Sequence, residues 1–279
     1  MYLPLATMRL IELALAEDLS GGDVTSMATI PADLLAHAAV VVKASGVVAG
    51  LDVAAAVCAA VDPALRWQCD MVDGTTVIVG TTIATISGAA RSVLMAERTL
   101  LNFLQRLSGI ATLTARYVAE LNGTSARLVD TRKTTPGWRM LEKAAVRAGG
   151  GDNHRFNLGD GVLIKDNHLA LGGHDVASAV RRARAAAPHT VKIEVEVEDL
   201  AGVHAALTAN ADIIMLDNMP LELMCEAVQI VAGRALVEAS GGITLQRIRA
   251  VAETGVNLIS CGAITHSAVA LDISLDIRG

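Results

Sequence analysis

Apolar side chains recur at helical spacing over residues 8–17, and a helix is predicted there. Ser20-Gly21-Gly22-Asp23-Val24-Thr25-Ser26 then reads as a turn-rich loop. Short β-type runs follow at 39–43, 47–48, 77–79 and 83–86. Gly46, Gly50, Gly74, Gly80 and Gly88 punctuate them, as expected of an antiparallel or mixed sheet. A long helix is predicted from about residue 91 to 121. At about 100° per residue, Val93, Leu100, Leu104 and Leu107 share one face, and Arg91, Arg98, Asn102, Gln105 and Arg106 share the opposite one. That polar stripe reads either as solvated surface or as the source of an arginine that reaches an anion or a partner subunit.

From residue 127 the pattern changes. Strands are predicted at 128–129, 162–164, 191–195, 213–216, 236–237 and 257–259, separated by helices over 138–148, 174–187, 198–209, 220–232 and 244–254. Repeated βα units imply a parallel sheet. About six such strands in succession favour a barrel over an open sheet. The fold class is therefore α/β, an N-terminal α+β part followed by an α/β barrel.

Composition narrows the function classes. With 279 residues and 52% hydrophobic side chains the chain can bury a large core, which excludes a disordered chain. Only six aromatics are present, too few for a module that reads single strands by base stacking. The net charge of −6 argues further against a nucleic-acid partner. No secretory signal is read at the N-terminus. The most apolar stretch, 47–61, contains Asp52 and is too short to span a bilayer, so no membrane partner is expected. Cys58, Cys69, Cys225 and Cys261 lack CxxC spacing and read as buried, reduced thiols of a cytoplasmic protein.

The charge is unevenly spread. Residues 127–168 hold eight Lys/Arg against five Asp/Glu, a net of +3, and three of the five lysines. One basic segment in an acidic chain points to a localised site for a small anion. Each predicted strand also ends in chemistry. The ends are Asp130-Thr131-Arg132-Lys133, Lys165-Asp166-Asn167-His168, Glu194 with Glu196, Asp217-Asn218, Glu238-Ala239-Ser240-Gly241-Gly242, and Ser260-Cys261-Gly262. In a βα barrel these ends share one pocket, and so many buried polar ends require partners or a ligand.

Arg132, Lys133, Arg155 and Lys165, with His154 beside Arg155, suit carboxylates and phosphates. Glu196 and Asp217 supply hard oxygen donors for Mg²⁺ or hydrogen bonds to sugar hydroxyls. Glu194 and Glu196 alternate with Val195 and face the same side of their strand; Glu196 is favoured as the ligand. Ser240-Gly241-Gly242-Ile243 before a helix, with Gly262 at the next strand end, reads as a phosphate cradle or as an ordinary tight turn. The set suits a phosphoribosyl transfer. Other polar residues read blandly. His37, His174, His189 and His204 are expected at the surface, His168 in a structural role, and Glu142 and Lys143 as solvated charges. Trp67 and Trp138 are expected to pack.

The chain resembles the quinolinate phosphoribosyltransferase family over nearly its whole length. The resemblance rests on Glu17-Asp18, Gly22-Asp23-Val24-Thr25-Ser26, Glu97-Arg98-Thr99 and the run from Leu101 to Thr112. Asp130-Thr131-Arg132-Lys133-Thr134-Thr135-Pro136-Gly137, Gly149-Gly150-Gly151-Asp152-Asn153-His154-Arg155 and Leu163-Ile164-Lys165-Asp166-Asn167-His168 continue it. Glu194-Val195-Glu196, Leu216-Asp217-Asn218-Met219, Ser240-Gly241-Gly242-Ile243 and Thr265-His266-Ser267 complete it.

The resemblance implies an N-terminal α/β sandwich over residues 1–108 and an incomplete α/β barrel of the seven-stranded type over 109–266. Residues 267–279 are expected to return to the first domain. It implies a cytoplasmic transferase, a pentosyltransferase of pyridine-nucleotide (NAD) biosynthesis. This enzyme joins quinolinate to phosphoribosyl pyrophosphate and releases nicotinate mononucleotide, pyrophosphate and carbon dioxide. Carried over by motif, Arg98, Arg132, His154 and Arg155 would bind quinolinate, with Arg98 supplied across a homodimer interface. Lys133, Lys165, Glu196 and Asp217 would be catalytic and bind phosphoribosyl pyrophosphate. Glu196 and Asp217 would also hold Mg²⁺, directly or through water. Ser240, Gly241, Gly242, Gly262 and His266 would bind the 5′-phosphate. The alternatives are a paralogue of the same fold found in molybdenum-transport operons, a transferase for the monocarboxylate nicotinate, and a non-catalytic anion-binding protein. A second carboxylate needs a second cationic clamp, which the number of arginines supplies. A degenerate binding protein would have lost the lysines or acidic residues, and none is lost.

Overall fold

In the computed structural model, which describes residues 3–173 and 175–278, packing groups the chain into two compact units. The first takes 1–115, 134–150 and 265–279; the second takes 116–133 and 151–264. This grouping differs from a single cut after residue 108, because residues 134–150 join the first unit. Trp138 stacks on Phe103 there with ring centroids 4.7 Å apart, and Glu142 pairs with Arg106.

The chain opens with α1 (Leu5–Leu19), α2 (Val24–Thr29), β1 (Leu35–Val42), β2 (Gly46–Val47) and α3 (Leu51–Val61). Next come β3 (Arg66–Gln68), β4 (Thr76–Val77), β5 (Thr82–Ala89) and α4 (Ala90–Glu120). The expected loop at 20–26 is partly helical, since Asp23 caps α2 by accepting from Ser26 N–H at 2.9 Å. The final strand, β12 (Ile273–Arg278), pairs antiparallel with β1 and completes the sheet order β12-β1-β5-β3. The C-terminal residues thus return to the first unit. The predicted apolar face of α4 is the buried one, with Val93, Leu100, Leu104 and Leu107 at most 2% exposed. Each such leucine contributes about 2 kcal/mol.

Between α4 and β12 run β6 (Arg127–Val129), α5 (Arg139–Ala148), β7 (Val162–Ile164), α6 (Asp166–Gly172), α7 (Val176–Ala186) and β8 (Ile193–Val197). Then follow α8 (Leu200–Thr208), β9 (Ile213–Asp217), α9 (Leu221–Val231), β10 (Leu236–Ser240), α10 (Ile248–Glu253), β11 (Leu258–Ser260) and α11 (Ala263–His266). The second unit holds one all-parallel sheet in the order β6-β11-β10-β9-β8-β7. It has six strands among the described residues, not the seven expected. Where a seventh would stand, Asp152 makes one isolated parallel bridge to Val129. No helix is long and apolar enough to cross a membrane among the described residues.

Several bland expectations change. Glu142 and Lys143 on α5 are fully buried, not solvated. Glu142 is satisfied by Arg106 and by Thr135, so its burial carries compensation. On the polar stripe of α4, Arg91 donates to Ile30 O, Gln105 to Ile273 O and Arg106 to Glu142, leaving Arg98 and Asn102 exposed. Cys58 and Cys261 are buried and Cys69 partly so, but Cys225 is exposed. Burial pushes the Cys58 thiol up to about 12, so it is inert as a nucleophile. His37, His189 and His204 are exposed as expected, and His174 lies outside the described residues.

Candidate active site

Strand alternation in the parallel sheet selects which side chains share a face. On β10, Leu236, Glu238 and Ser240 point one way; on β8, Glu194 and Glu196 do; on β9, Ile213, Met215 and Asp217 do. The registers Glu238↔Met215, Glu238↔Leu258 and Glu194↔Ile213 bring these rows side by side. A cavity of about 310 Å³ opens on this face toward the C-terminal strand ends. Arg132, Lys133, Arg155, Lys165, Glu238 and Ser240 are among the residues that line it.

The cationic wall is built by local hydrogen bonding. Asp130, with no exposed surface, accepts from Asn153 Nδ2 at 2.7 Å and from His154 N–H at 2.8 Å. This ties the end of β6 to the loop that carries His154 and Arg155. Sequence reasoning gave Asp130 no role of its own; a carboxylate directly after a predicted strand was the only signal, and its burial is visible only in the fold. His154 Nδ1 accepts from Arg155 N–H at 2.7 Å. Its Nε2 faces Glu194 at 3.0 Å and Glu238 at 3.6 Å. Both ring nitrogens of His154 therefore have protein partners.

Arg155 donates to Gly161 O at 2.8 Å. Burial and then the neighbouring Arg132 charge lower its affinity for its proton, against a smaller opposite pull from Glu194. Two guanidinium groups held close repel each other, and an anion between them would relieve that repulsion.

Lys165 Nζ meets Glu196 Oε2 at 2.5 Å; the lysine is about half-exposed and the carboxylate is buried. His168 accepts from Lys165 N–H at 2.9 Å and so orders the start of α6, the structural role expected of it. Asp217 ends β9, partly exposed, with Oδ2 accepting from Asn218 Nδ2 at 2.7 Å. Glu196 and Asp217 thus stand near the C-terminal ends of adjacent strands as oxygen donors, a set that suits a hard divalent cation.

The Ser240-Gly241-Gly242 turn is held against β9 by Asn218 N–H donating to Ser240 O at 3.0 Å. Gly241 has φ +88°, and a Cβ there would stand 2.1 Å from Asn218 Oδ1. Glycine alone suits this turn, since a side chain would be strained at that φ and would meet Asn218. Gly262 follows β11, at the neighbouring strand end.

The pocket thus brings together Arg132, Lys133, His154, Arg155, Lys165 and Ser240, with Glu196 joined through Lys165. Arg98 and His266 belong to the first unit, and both are exposed. Glu238 had no assigned role in the sequence, yet it is fully buried.

Comparison with known proteins gives a consistent answer. Residues 23–108 match the family model described as quinolinate phosphoribosyl transferase, N-terminal domain, and residues 110–276 match its C-terminal domain. A Mycobacterium leprae protein named nicotinate-nucleotide pyrophosphorylase [carboxylating] is 45% identical over 273 residues, covering 96% of this chain and 95% of that protein. A Bacillus subtilis protein with the probable form of that name is 44% identical over 261 residues, covering 94% of this chain and 90% of that one. A solved structure of the nicotinate-nucleotide pyrophosphorylase from Francisella tularensis superposes with a TM-score of 0.93 at 39% identity. It covers 99% of this chain and 98% of its own.

Proposed function

The chain belongs to the quinolinate phosphoribosyl transferase family, and from that premise we propose how its pocket works. It transfers the phosphoribosyl group of phosphoribosyl pyrophosphate to quinolinate, with decarboxylation, as a carboxylating pentosyltransferase of NAD biosynthesis. The observation that supports this most is the paired guanidinium wall of Arg132 and Arg155 beside Lys133 and Lys165. It is the cationic surface a dicarboxylate and a pyrophosphate require.

Arg132, Arg155 and His154 bind the quinolinate carboxylates, with the contact from Arg155 N–H to His154 Nδ1 fixing the backbone that carries both side chains. Arg98, exposed on α4, reaches the pocket of a partner subunit in a homodimer. Lys133 and Lys165 offset the charge that grows on departing pyrophosphate. Glu196 and Asp217 stabilise the electron-poor ribose and would hold Mg²⁺; when bound, the ion neutralises part of the pyrophosphate charge. Ser240, Gly241, Gly242 and Gly262 receive the 5′-phosphate. Holding the pyridine nitrogen against C1 of the ribose supplies proximity. The work is cytoplasmic, consistent with a chain that has no membrane-spanning helix among its described residues.

The test is a product assay. Purified protein, Mg²⁺, phosphoribosyl pyrophosphate and quinolinate should yield nicotinate mononucleotide and carbon dioxide. Turnover of another base with none of quinolinate would overturn the reading. Arg98→Ala and Lys133→Ala subunits, each inactive alone, should regain part of the activity when mixed. No recovery in verified mixed dimers would remove the shared-site proposal.

A further inference from the structure

Removal of carbon dioxide from the ribosylated ring leaves an electron pair on the ring carbon, and that carbon must take up a proton. The roles assigned above supply binding and charge, but no acid. Glu238 is fully buried on β10, and no donor meets either of its carboxyl oxygens at normal hydrogen-bond geometry; His154 Nε2 stands 3.6 Å away and the Ser260 hydroxyl is a weaker neighbour. It lines the cavity of about 310 Å³ that opens at the C-terminal strand ends. It also lines a second cavity, of about 350 Å³, bounded by residues nearer the N-terminal strand ends, among them Arg127, Ile213 and Leu258. Glu238 therefore borders both spaces, together with His154 and Arg155.

The charges around it decide its state. Glu238, Glu194 and His154 form one cluster, their donor atoms within 4.8 Å of one another. Two carboxylates face a single imidazole, which can donate its one ring proton to one of them at most. His154 Nε2 lies closer to Glu194, at 3.0 Å, than to Glu238, at 3.6 Å, and Arg155 also acts on Glu194. Because Nδ1 accepts from Arg155 N–H, Nε2 carries the ring proton and turns it toward the carboxylates. Beyond the cluster, Arg132, Lys133, Arg155 and Lys165 face the upper cavity. Arg127, Asp152, Asp160 and Lys192 border the lower one, and Arg127 is paired with Asp152.

Resting on the reaction assigned above, we propose that Glu238 is a neutral acid that delivers the proton for decarboxylation. The bond between the ring carbon and its carboxylate breaks, carbon dioxide leaves, and the electron pair stays on the carbon beside the positive ring nitrogen. That carbon takes the proton of Glu238 in the same step, so the transfer limits carbon dioxide release. The resulting carboxylate is stabilised by His154 and regains a proton from water admitted through the lower cavity. Loss of water on burial, and then the adjacent Glu194 charge, push the Glu238 carboxyl up to about 8, while His154 pulls the other way, which agrees with a protonated group at neutral pH.

Glu238→Gln keeps the shape and removes the acid. Pyrophosphate release should persist and quinolinate affinity should stay near wild type, while carbon dioxide release falls about 100-fold and loses its solvent deuterium isotope effect. Pyrophosphate and carbon dioxide release falling together, or carbon dioxide release unchanged, would overturn the proposal. Infrared difference spectra of wild type against Glu238→Gln at neutral pH should show a protonated carboxyl stretch. Should the variant fail to fold, wild type carrying isotope-labelled glutamate should show the same band. Its absence, or one tightly held metal ion per chain in the purified protein, overturns the proton assignment alone. Failure of wild type to turn over quinolinate overturns the reaction as well.

Discussion

Two glutamates without exposed surface, Glu142 and Glu238, show opposite uses of a buried carboxyl. Glu142, on α5 of the first unit, accepts from Arg106 at 2.9 Å and from the Thr135 hydroxyl at 2.8 Å, with Thr135 N–H at 3.2 Å. Its charge is compensated and its role is architectural. Glu238, in the parallel sheet of the second unit, has no donor at normal hydrogen-bond geometry on either oxygen. An uncompensated buried acid costs stability, and a fold retains one where chemistry or a ligand uses it. The neighbourhoods repeat the contrast. Residues Ala38–Val42 of β1 are a run of buried Ala and Val, whereas β8 buries Glu194 and Glu196 among Ile193, Val195 and Val197.

The comparison can be broken experimentally. The largest effect is expected at the pocket wall. Lys133→Ala should lower nicotinate mononucleotide formation about 100- to 1000-fold with its melting temperature little changed, because Lys133 is exposed. Activity within tenfold of wild type would detach the lysine from the reaction. Glu142→Ala should destabilise by about 3 kcal/mol in denaturant titration, because it removes the buried partner of Arg106 and leaves a cavity at a fully buried position. A change below about 1 kcal/mol would erase the contrast with Glu238.

Gly241→Ala should raise KM for phosphoribosyl pyrophosphate more than it lowers melting temperature, since a methyl at φ +88° meets Asn218 and deforms the turn. An unchanged KM would remove the turn from substrate binding. The last effect has a sign that separates the two acids. Folded Glu238 holds a proton that the unfolded chain releases at its ordinary value of 4.5, so wild-type stability falls as pH rises from there to about 8. Glu238→Gln removes that slope, so its stability relative to wild type should grow across this window and level off above it. A constant difference would show that Glu238 does not titrate in the fold.

Much of this was legible from residue order. Apolar spacing located α4 and its buried face, and the βα alternation located all six parallel strands to within a few residues. The strand-end polar groups pointed to the anion pocket before any geometry was known. What escaped had physical causes. The stretch 51–61 is apolar nearly all round, so period alone did not separate a buried helix from strand; it is α3. Glu142 and Lys143 have the polarity of a surface, and only the arrival of Arg106 and Thr135 made burial of the glutamate tolerable. Nothing local marked Glu238 apart from any other glutamate near a strand end.

The sequence by itself determined the element types, the parallel second half and the set of charged groups at the strand ends, because periodicity and turn chemistry act over a few residues. Tertiary structure alone decided which charges are compensated. His154 and Glu238 lie 84 positions apart and Glu194 and Glu238 lie 44 apart, and the proton state of Glu238 follows from their meeting at a buried site. Charge compensation is a through-space property of low-dielectric surroundings, and no pattern along the chain encodes it without the fold.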